Sequence, residues 1–293
     1  RVMLSAAYTN DDFLNHQLIA ELSYRTEDHT FTPYTRAGGN TLSTNSSRQS
    51  TDVLAFRTAL NKSFNALSLT YGVDGYIDQF DSDKAVYDQA KTEASGGLVH
   101  IIDEMQGRYP GIDTDSLAGF VQAEYSINED WSIQGGYRYQ YMDVNVADFQ
   151  ATSSSSFIPG GNTDYAESLF NLGTIYALTP SSQIWASFSQ GFDIPQLYRY
   201  YGRSATQDVD ASKLESIKTD SYEIGYRNDL DNLSFQSAIY YSYSSATVQY
   251  EDDFSINGLA DPKRVYGAEA QLSYWATEAL QLGAFGHYVV TEI

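Results

Sequence analysis

The feature that most constrains this chain is a two-residue alternation of apolar and polar side chains, interrupted by connections that are short and long in strict turn. From Leu67 to Asp74, odd positions are apolar and even ones small or polar. The same period governs Trp131 to Tyr141, Leu233 to Tyr243, Tyr266 to Tyr274 and Leu280 to Tyr288. Successive side chains of a strand point to opposite faces, so the pattern reads as β-strand with one apolar face. No stretch holds a helical period over three turns.

About twelve strands follow, near 1–8, 15–25, 51–60, 65–77, 118–127, 131–147, 165–178, 182–190, 219–229, 233–248, 262–275 and 278–290. Short turns are read at Thr9 to Leu14, Asn61 to Phe64, Asn128 to Asp130, Thr179 to Ser181, Leu230 to Asn232 and Ala276 to Thr277. Long connections lie near 26–50, 78–117, 148–164, 191–218 and 249–261. In an up-and-down meander, successive connections fall on opposite rims, so the short turns share one rim and the long loops the other. Outer-membrane barrels have this asymmetry, with short periplasmic turns and long extracellular loops. Strands of about ten to seventeen residues suit a tilted membrane span better than the ~5–6 residues of soluble sheets. The expected fold is all-β, a transmembrane antiparallel up-and-down β-barrel.

Composition agrees. The mean hydropathy is −0.39, and no run approaches the ~18 apolar residues of a spanning helix. A barrel escapes that test because only every second side chain of a strand meets lipid. Ser68, Thr70, Asp74, Gln122, Glu124, Gln134, Arg138, Gln140, Glu223, Arg227, Gln236, Glu269 and Gln271 are expected to face the lumen. Leu67, Leu69, Tyr71, Val121, Tyr125, Ile133, Tyr137, Tyr226, Phe235, Ile239, Leu272 and Leu282 are expected to face lipid. Tyrosine is the compositional outlier at 25 residues. Trp131, Tyr139, Tyr141, Tyr241, Tyr243, Tyr274 and Trp275 lie near strand ends or upper halves, as interfacial aromatic girdles do. There is no cysteine, which closes disulfide and Cys-metal readings. The net charge of −21 argues against nucleic acid as a partner.

Three segments carry a family resemblance. Ser189-Gln190-Gly191-Phe192-Asp193-Ile194-Pro195 leaves a strand and leads to Tyr200-Tyr201-Gly202. Ser221-Tyr222-Glu223-Ile224-Gly225-Tyr226-Arg227 and Arg264-Val265-Tyr266-Gly267-Ala268-Glu269 follow in order. Together they resemble the later half of a TonB-dependent receptor barrel. Ser95 to Leu98, Gly107 to Gly111 and Trp131 to Tyr139 are similar to receptors of the ferric aerobactin type. The resemblance implies a 22-stranded barrel around an N-terminal plug, with energised uptake of a ferric siderophore. Residues 1–293 then read as a partial barrel, about twelve strands of that whole, truncated at both ends and without the plug. The implied location is the cell outer membrane, among its lipid and lipopolysaccharide. The implied partner is the TonB–ExbB–ExbD complex, reached through the plug.

No catalytic constellation stands out. His16, His29, His100 and His287 lie in no metal-site or nucleophile motif. The acidic runs at 11–12, 81–83 and 251–253 lack the glycine and terminal glutamate of a calcium loop. A 12-stranded barrel enzyme would need a Ser/His or Asp/His set at one rim, and none is found. A passive porin or adhesin would need a constriction loop with facing charged rows, which 78–117 does not display.

A siderophore brings its iron already saturated, so no cofactor is expected and iron enters only as cargo. The receptor needs basic donors for the ligand's carboxylates and aromatic walls for its carbon frame. In so acidic a chain, basic residues grouped with tyrosines in long connections are the candidates. The run Tyr198 to Arg203 is the densest group, with Arg199, Tyr200, Tyr201 and Arg203 as its expected ligand contacts, and Arg108 with Tyr109, and Tyr34 with Arg36, are others.

Overall fold

The computed structural model describes residues 1–38, 41–150, 157–201, 209, 213–250 and 256–293. The strands are β1 (Val2–Asn10), β2 (Gln17–Thr30), β3 (Tyr34–Gly38), β4 (Thr41–Phe64), β5 (Leu67–Tyr87), β6 (Ile102–Ser126), β7 (Trp131–Val146), β8 (Phe149–Gln150), β9 (Phe157–Ile158), β10 (Gly161–Thr179), β11 (Ser182–Asp193), β12 (Ile217–Asp229), β13 (Leu233–Ser244), β14 (Thr247–Tyr250), β15 (Ile256–Ala260), β16 (Lys263–Thr277) and β17 (Leu280–Glu292). Two short helices interrupt them, α1 (Gln89–Ala94) and α2 (Leu197–Tyr201). The main sheet is an antiparallel meander in the order β1-β2-β4-β5-β6-β7-β10-β11-β12-β13-β16-β17, with β3 added against β4. Its backbone is the twelve strands that the alternation predicts. β8–β9 and β14–β15 form separate two-stranded ribbons.

The rims divide as expected. β4 and β5 are joined by Asn65 and Ala66 alone, with Asn65 at φ 48°. β10 and β11 are joined by Pro180 and Ser181, and β16 and β17 by Glu278 and Ala279. The turns shift slightly from their sequence positions: Asn61 to Phe64 is strand, paired with Leu67 to Thr70, and the first turn is 11–16. The opposite rim carries the helices and both ribbons.

The larger correction concerns length. β4, β5 and β6 have 24, 21 and 25 residues, while a tilted span needs only about 9–11. Much of what reads as loop at 26–50 and 78–117 is therefore ladder that continues beyond the membrane. Arg108 and Tyr109 lie within β6 rather than on a loop.

Cross-strand register separates the two faces. Tyr125, Leu67 and Ile133 stand opposite one another across β5, β6 and β7, as do Val121, Tyr71 and Tyr137. Tyr222 and Tyr241 share that outward face further along. The other face carries Asp74 and Arg138, which form a bidentate pair at 2.7 Å. It also carries Trp185, whose indole donates to Glu223 at 2.6 Å, and Tyr240, hydrogen bonded to His287 at 2.6 Å. The loop core described below packs on this polar face, which identifies it as the inside of the arc. Among the described residues, β1 and β17 pair on one side only.

Candidate functional site

Above the spanning part, the inner wall meets a folded-in loop. After Asp193 the chain turns through the buried Pro195 into α2. The Gln196 carbonyl accepts from the Arg199 and Tyr200 backbone amides, which closes the helical turn. Leu197, Tyr200 and Tyr201 then fall on one face, since residues three and four apart share a side of a helix. That face packs against Ile112 of β6, Met142, Val144 and Val146 of β7, and Tyr165 of β10. Val209, Leu214 and Ile256 complete the cluster.

Burial governs the chemistry of these phenols. Tyr201 is fully buried, and burial pushes its hydroxyl up to about 12, against a hydrogen bond to the Leu214 backbone that opposes the rise. Tyr165, fourteen residues from the Thr179 end of β10, is also raised, first by burial and then by the nearby Tyr201. Tyr200 is raised by burial. Tyr200 and Tyr201, expected as ligand contacts, are thus turned into the loop core, because a one-turn helix buries its three large apolar residues together.

The opposite side of α2 is different. Tyr198 stacks on Phe80 of β5 at 5.0 Å between ring centroids and meets Tyr109 of β6 edge-on at 4.9 Å. The Arg199 guanidinium lies 5.9 Å from the Tyr198 ring, and that of Arg108 lies 5.3 Å from the Tyr109 ring. Arg108 also donates to the Ser47 hydroxyl. Two guanidiniums distant in sequence thus flank one aromatic column. The Arg199 Nε is buried with no hydrogen-bond partner. A cavity of about 260 Å³ opens beside the column, lined by Thr51, Asp78, Thr114, Met142, Pro195 and Tyr198, among others. The column offers positive donors and flat apolar walls, which suits an anionic ligand with a carbon frame; the cavity shares Phe80 and Tyr198 with it, adds hydroxyls and the Asp78 carboxyl, and is lined by neither arginine.

The remaining candidates are placed apart or not at all. Tyr34 is exposed on β3, opposite Asn45. Arg36, on the same strand, pairs by backbone with Ser43. Among the described contacts, Tyr34 makes none with the aromatic column. Arg203 lies outside the described residues, as does the acidic run 251–253. Sequence reasoning missed Phe80 and did not choose Tyr198, though Tyr198 heads the very run that was singled out. Phe80 carries no signal beyond its place in a strand.

Residues 1–292 match the model of the TonB dependent receptor-like β-barrel family. The chain is 34% identical to the rhizobactin receptor of Rhizobium meliloti (strain 1021), over all of this chain and 43% of that protein. It is 35% identical to the ferric aerobactin receptor of Klebsiella pneumoniae, over 94% of this chain and 41% of that protein. The chain therefore spans less than half the length of these relatives. Among solved structures, the copper transporter OprC superposes with a TM-score of 0.82 at 14% identity, over 99% of this chain and 45% of that one. The ferric citrate transporter FecA superposes with a TM-score of 0.73 at 16% identity, over 99% and 42%. At such identities these two speak for the fold alone.

Proposed function

The chain belongs to the family of TonB-dependent receptor β-barrels, and from that premise we propose that it is the siderophore-gripping part of an outer-membrane importer. The observation that carries this reading is the convergence of Arg108 and Arg199 on the Tyr109–Tyr198–Phe80 column. A hydroxamate–citrate siderophore, of the kind the aerobactin-type relatives are named for, presents carboxylates to the two arginines and a carbon frame to the rings. Charge-assisted contacts of this sort are about twice as strong as neutral ones. The column lies on the inner face above the spanning segments, where a ligand arriving from outside would first be held.

The sheet's two end strands need partners, since unpaired edges in lipid are costly. The arc is accordingly read as one side of a larger closed barrel, with its short turns in the periplasm. Energy for import would come from TonB and its ExbB–ExbD partners acting on a plug domain, and the outward aromatic face would meet lipid and lipopolysaccharide. Within the site, Arg199 and Arg108 are assigned to ligand carboxylates, with Tyr109 and Tyr198 as walls. Tyr200 and Tyr201 support α2 from behind. Tyr34 and Arg36 remain candidates on β3, and Arg203 remains one by its place in the sequence alone.

The test is binding of ferric aerobactin by the full-length receptor in outer-membrane vesicles. Arg108→Ala with Arg199→Ala should weaken binding by about a hundredfold, from two lost charge-assisted contacts. Unchanged affinity in a correctly inserted double variant would sink the assignment. Equal binding of catecholate and hydroxamate–citrate complexes by the native receptor would sink the ligand class.

A further inference from the structure

The wall of the arc is not laddered to the same height throughout. β10 pairs with β7 along its upper length, from Gly161 opposite Val146 down to Tyr176 opposite Trp131. It pairs with β11 only from Asn171 opposite Ser189 downward. Above that point β11 continues its ladder on the other side alone, with β12, as far as Asp193 opposite Ile217. The two strands therefore part at Asn171 and Ser189. Among the described residues, Gly161–Phe170 of β10 has no strand on its β11 side.

An open edge of this kind is normally paired or covered. Here side chains cover it. At the apex, the Gln190 side-chain oxygen accepts from the Phe170 amide at 3.2 Å, and its amide nitrogen donates to Asp220 at 2.9 Å. Higher up, Lys218 donates to the Ser168 carbonyl at 3.2 Å and pairs with Glu167 at 3.1 Å. The Ser216 hydroxyl donates to Glu167 at 2.6 Å. These contacts are single side-chain bonds, exposed at Gln190 and Phe170 and part-buried at the others, and open to competition from water; behind them, among the described contacts, only the Tyr165 hydroxyl reaches across in buried surroundings, to the Leu214 carbonyl. A backbone ladder is cooperative, whereas such contacts can be lost one by one.

We propose that Gln190, Glu167, Ser216 and Lys218 form a latch that closes a lateral seam between β10 and the β11–β12 hairpin, and that the seam opens while the barrel stays folded. The break point is set by Gln190, which ends the β10–β11 ladder and ties both sides of the gap. Below it the ladder holds, so opening is confined to the part above Asn171. Opening separates Leu214 from Tyr165 and gives the inner wall a side entrance from the outer rim. The proposal does not depend on which ligand the receptor takes.

Residues 1–293 contain no cysteine, so a thiol introduced among them can be followed against the receptor without it as the labelling blank. Leu214 and Ile158 are each 3% exposed, and only Leu214 lies at the seam. Leu214→Cys and Ile158→Cys are introduced separately into the full-length receptor and labelled on whole cells with a membrane-impermeant maleimide. Removing the latch with Glu167→Gln and Lys218→Met should speed labelling at position 214 roughly tenfold, as expected for losing two side-chain bonds, and leave position 158 unchanged. No acceleration at 214, or the same acceleration at 158, overturns the seam. Hydrogen exchange of the native receptor supplies a readout without variants. Residues 213–218 should exchange faster than the β7–β10 ladder, and equal protection of the two overturns the proposal.

Discussion

The Tyr165 hydroxyl donates a 2.8 Å hydrogen bond to the backbone carbonyl of Leu214, tying the inner wall of β10 to the returning limb of the β11–β12 connection. Both residues are buried, at 3% exposure each, so the carbonyl has no water to fall back on. Tyr165→Phe removes the donor and keeps the ring. The folded loop should lose about 1–3 kcal/mol, the cost of a buried acceptor left unpaired. Hydrogen exchange should show faster exchange near Leu214, with protection in β12 and β13 unaltered. Unchanged exchange near Leu214 would count against the tether.

Tyr201 gives the same loop a dependence on alkaline pH. Burial, partly opposed by the Leu214 backbone hydrogen bond, holds its hydroxyl up to about 12, from an ordinary 10.0. A raised folded-state value means that the neutral phenol is favoured by folding. The stabilisation is therefore complete below about pH 10 and is lost as pH rises from there through about 12. The near-ultraviolet phenolate absorbance of the native receptor, minus that of Tyr201→Phe, should reveal a late ionisation close to 12. A difference curve centred near 10 would mean that Tyr201 is not buried in solution.

The membrane-spanning part of this fold was legible because its physics is local. One face meets lipid and the other does not, so each strand writes a two-residue period, and a two- or three-residue turn fixes its partner. Above the membrane both faces of β4, β5 and β6 meet water or loops, the period fades, and segments such as Ser43 to Ser47 read as loop although they are paired strand. The site was half legible. The Tyr198 to Arg203 run and the Arg108-Tyr109 pair could be singled out for charge and ring content. Their meeting at Phe80 depends on the register of β5 against β6 and on a five-residue helix, which is too short to write a period. Gln190 belonged to a recognised motif, but its bond to the Phe170 amide appears only once the strands are seen to part.

Gly225 has a similarly concrete role. It is buried on the inner face of β12, and a Cβ there would collide with the six-membered ring of Trp185 on β11. The indole crosses this gap to reach Glu223 at 2.6 Å. Gly225→Ala should cost about 1–3 kcal/mol through overpacking, seen as a lower temperature for loss of the folded form in detergent. Adding Trp185→Ala should recover part of that loss, since it removes the clash. Equal stability of Gly225→Ala and the native protein would mean that the ring lies elsewhere.

Ile239 and Gln236 test the assignment of the faces themselves. Both belong to β13, with Ile239 opposite Ile224 and Gln236 opposite Arg227. Ile239 is 60% exposed on the outward face, six residues above the Leu233 end of the strand and near the middle of a tilted span. A cation placed there meets hydrocarbon. Ile239→Arg should cost about 2–4 kcal/mol, the penalty for a lipid-facing arginine at midplane. Gln236→Arg puts the same charge on the inner face, beside polar neighbours such as Gln271, and should cost less than about 1 kcal/mol. Reversible urea unfolding of the full receptor in lipid vesicles measures both. Because positions of opposite parity in one strand point to opposite solvents, the two variants must differ by about 1 kcal/mol or more. Equal costs would mean that the sheet does not present one face to lipid, and the outward rows of tyrosine and leucine would then need another explanation.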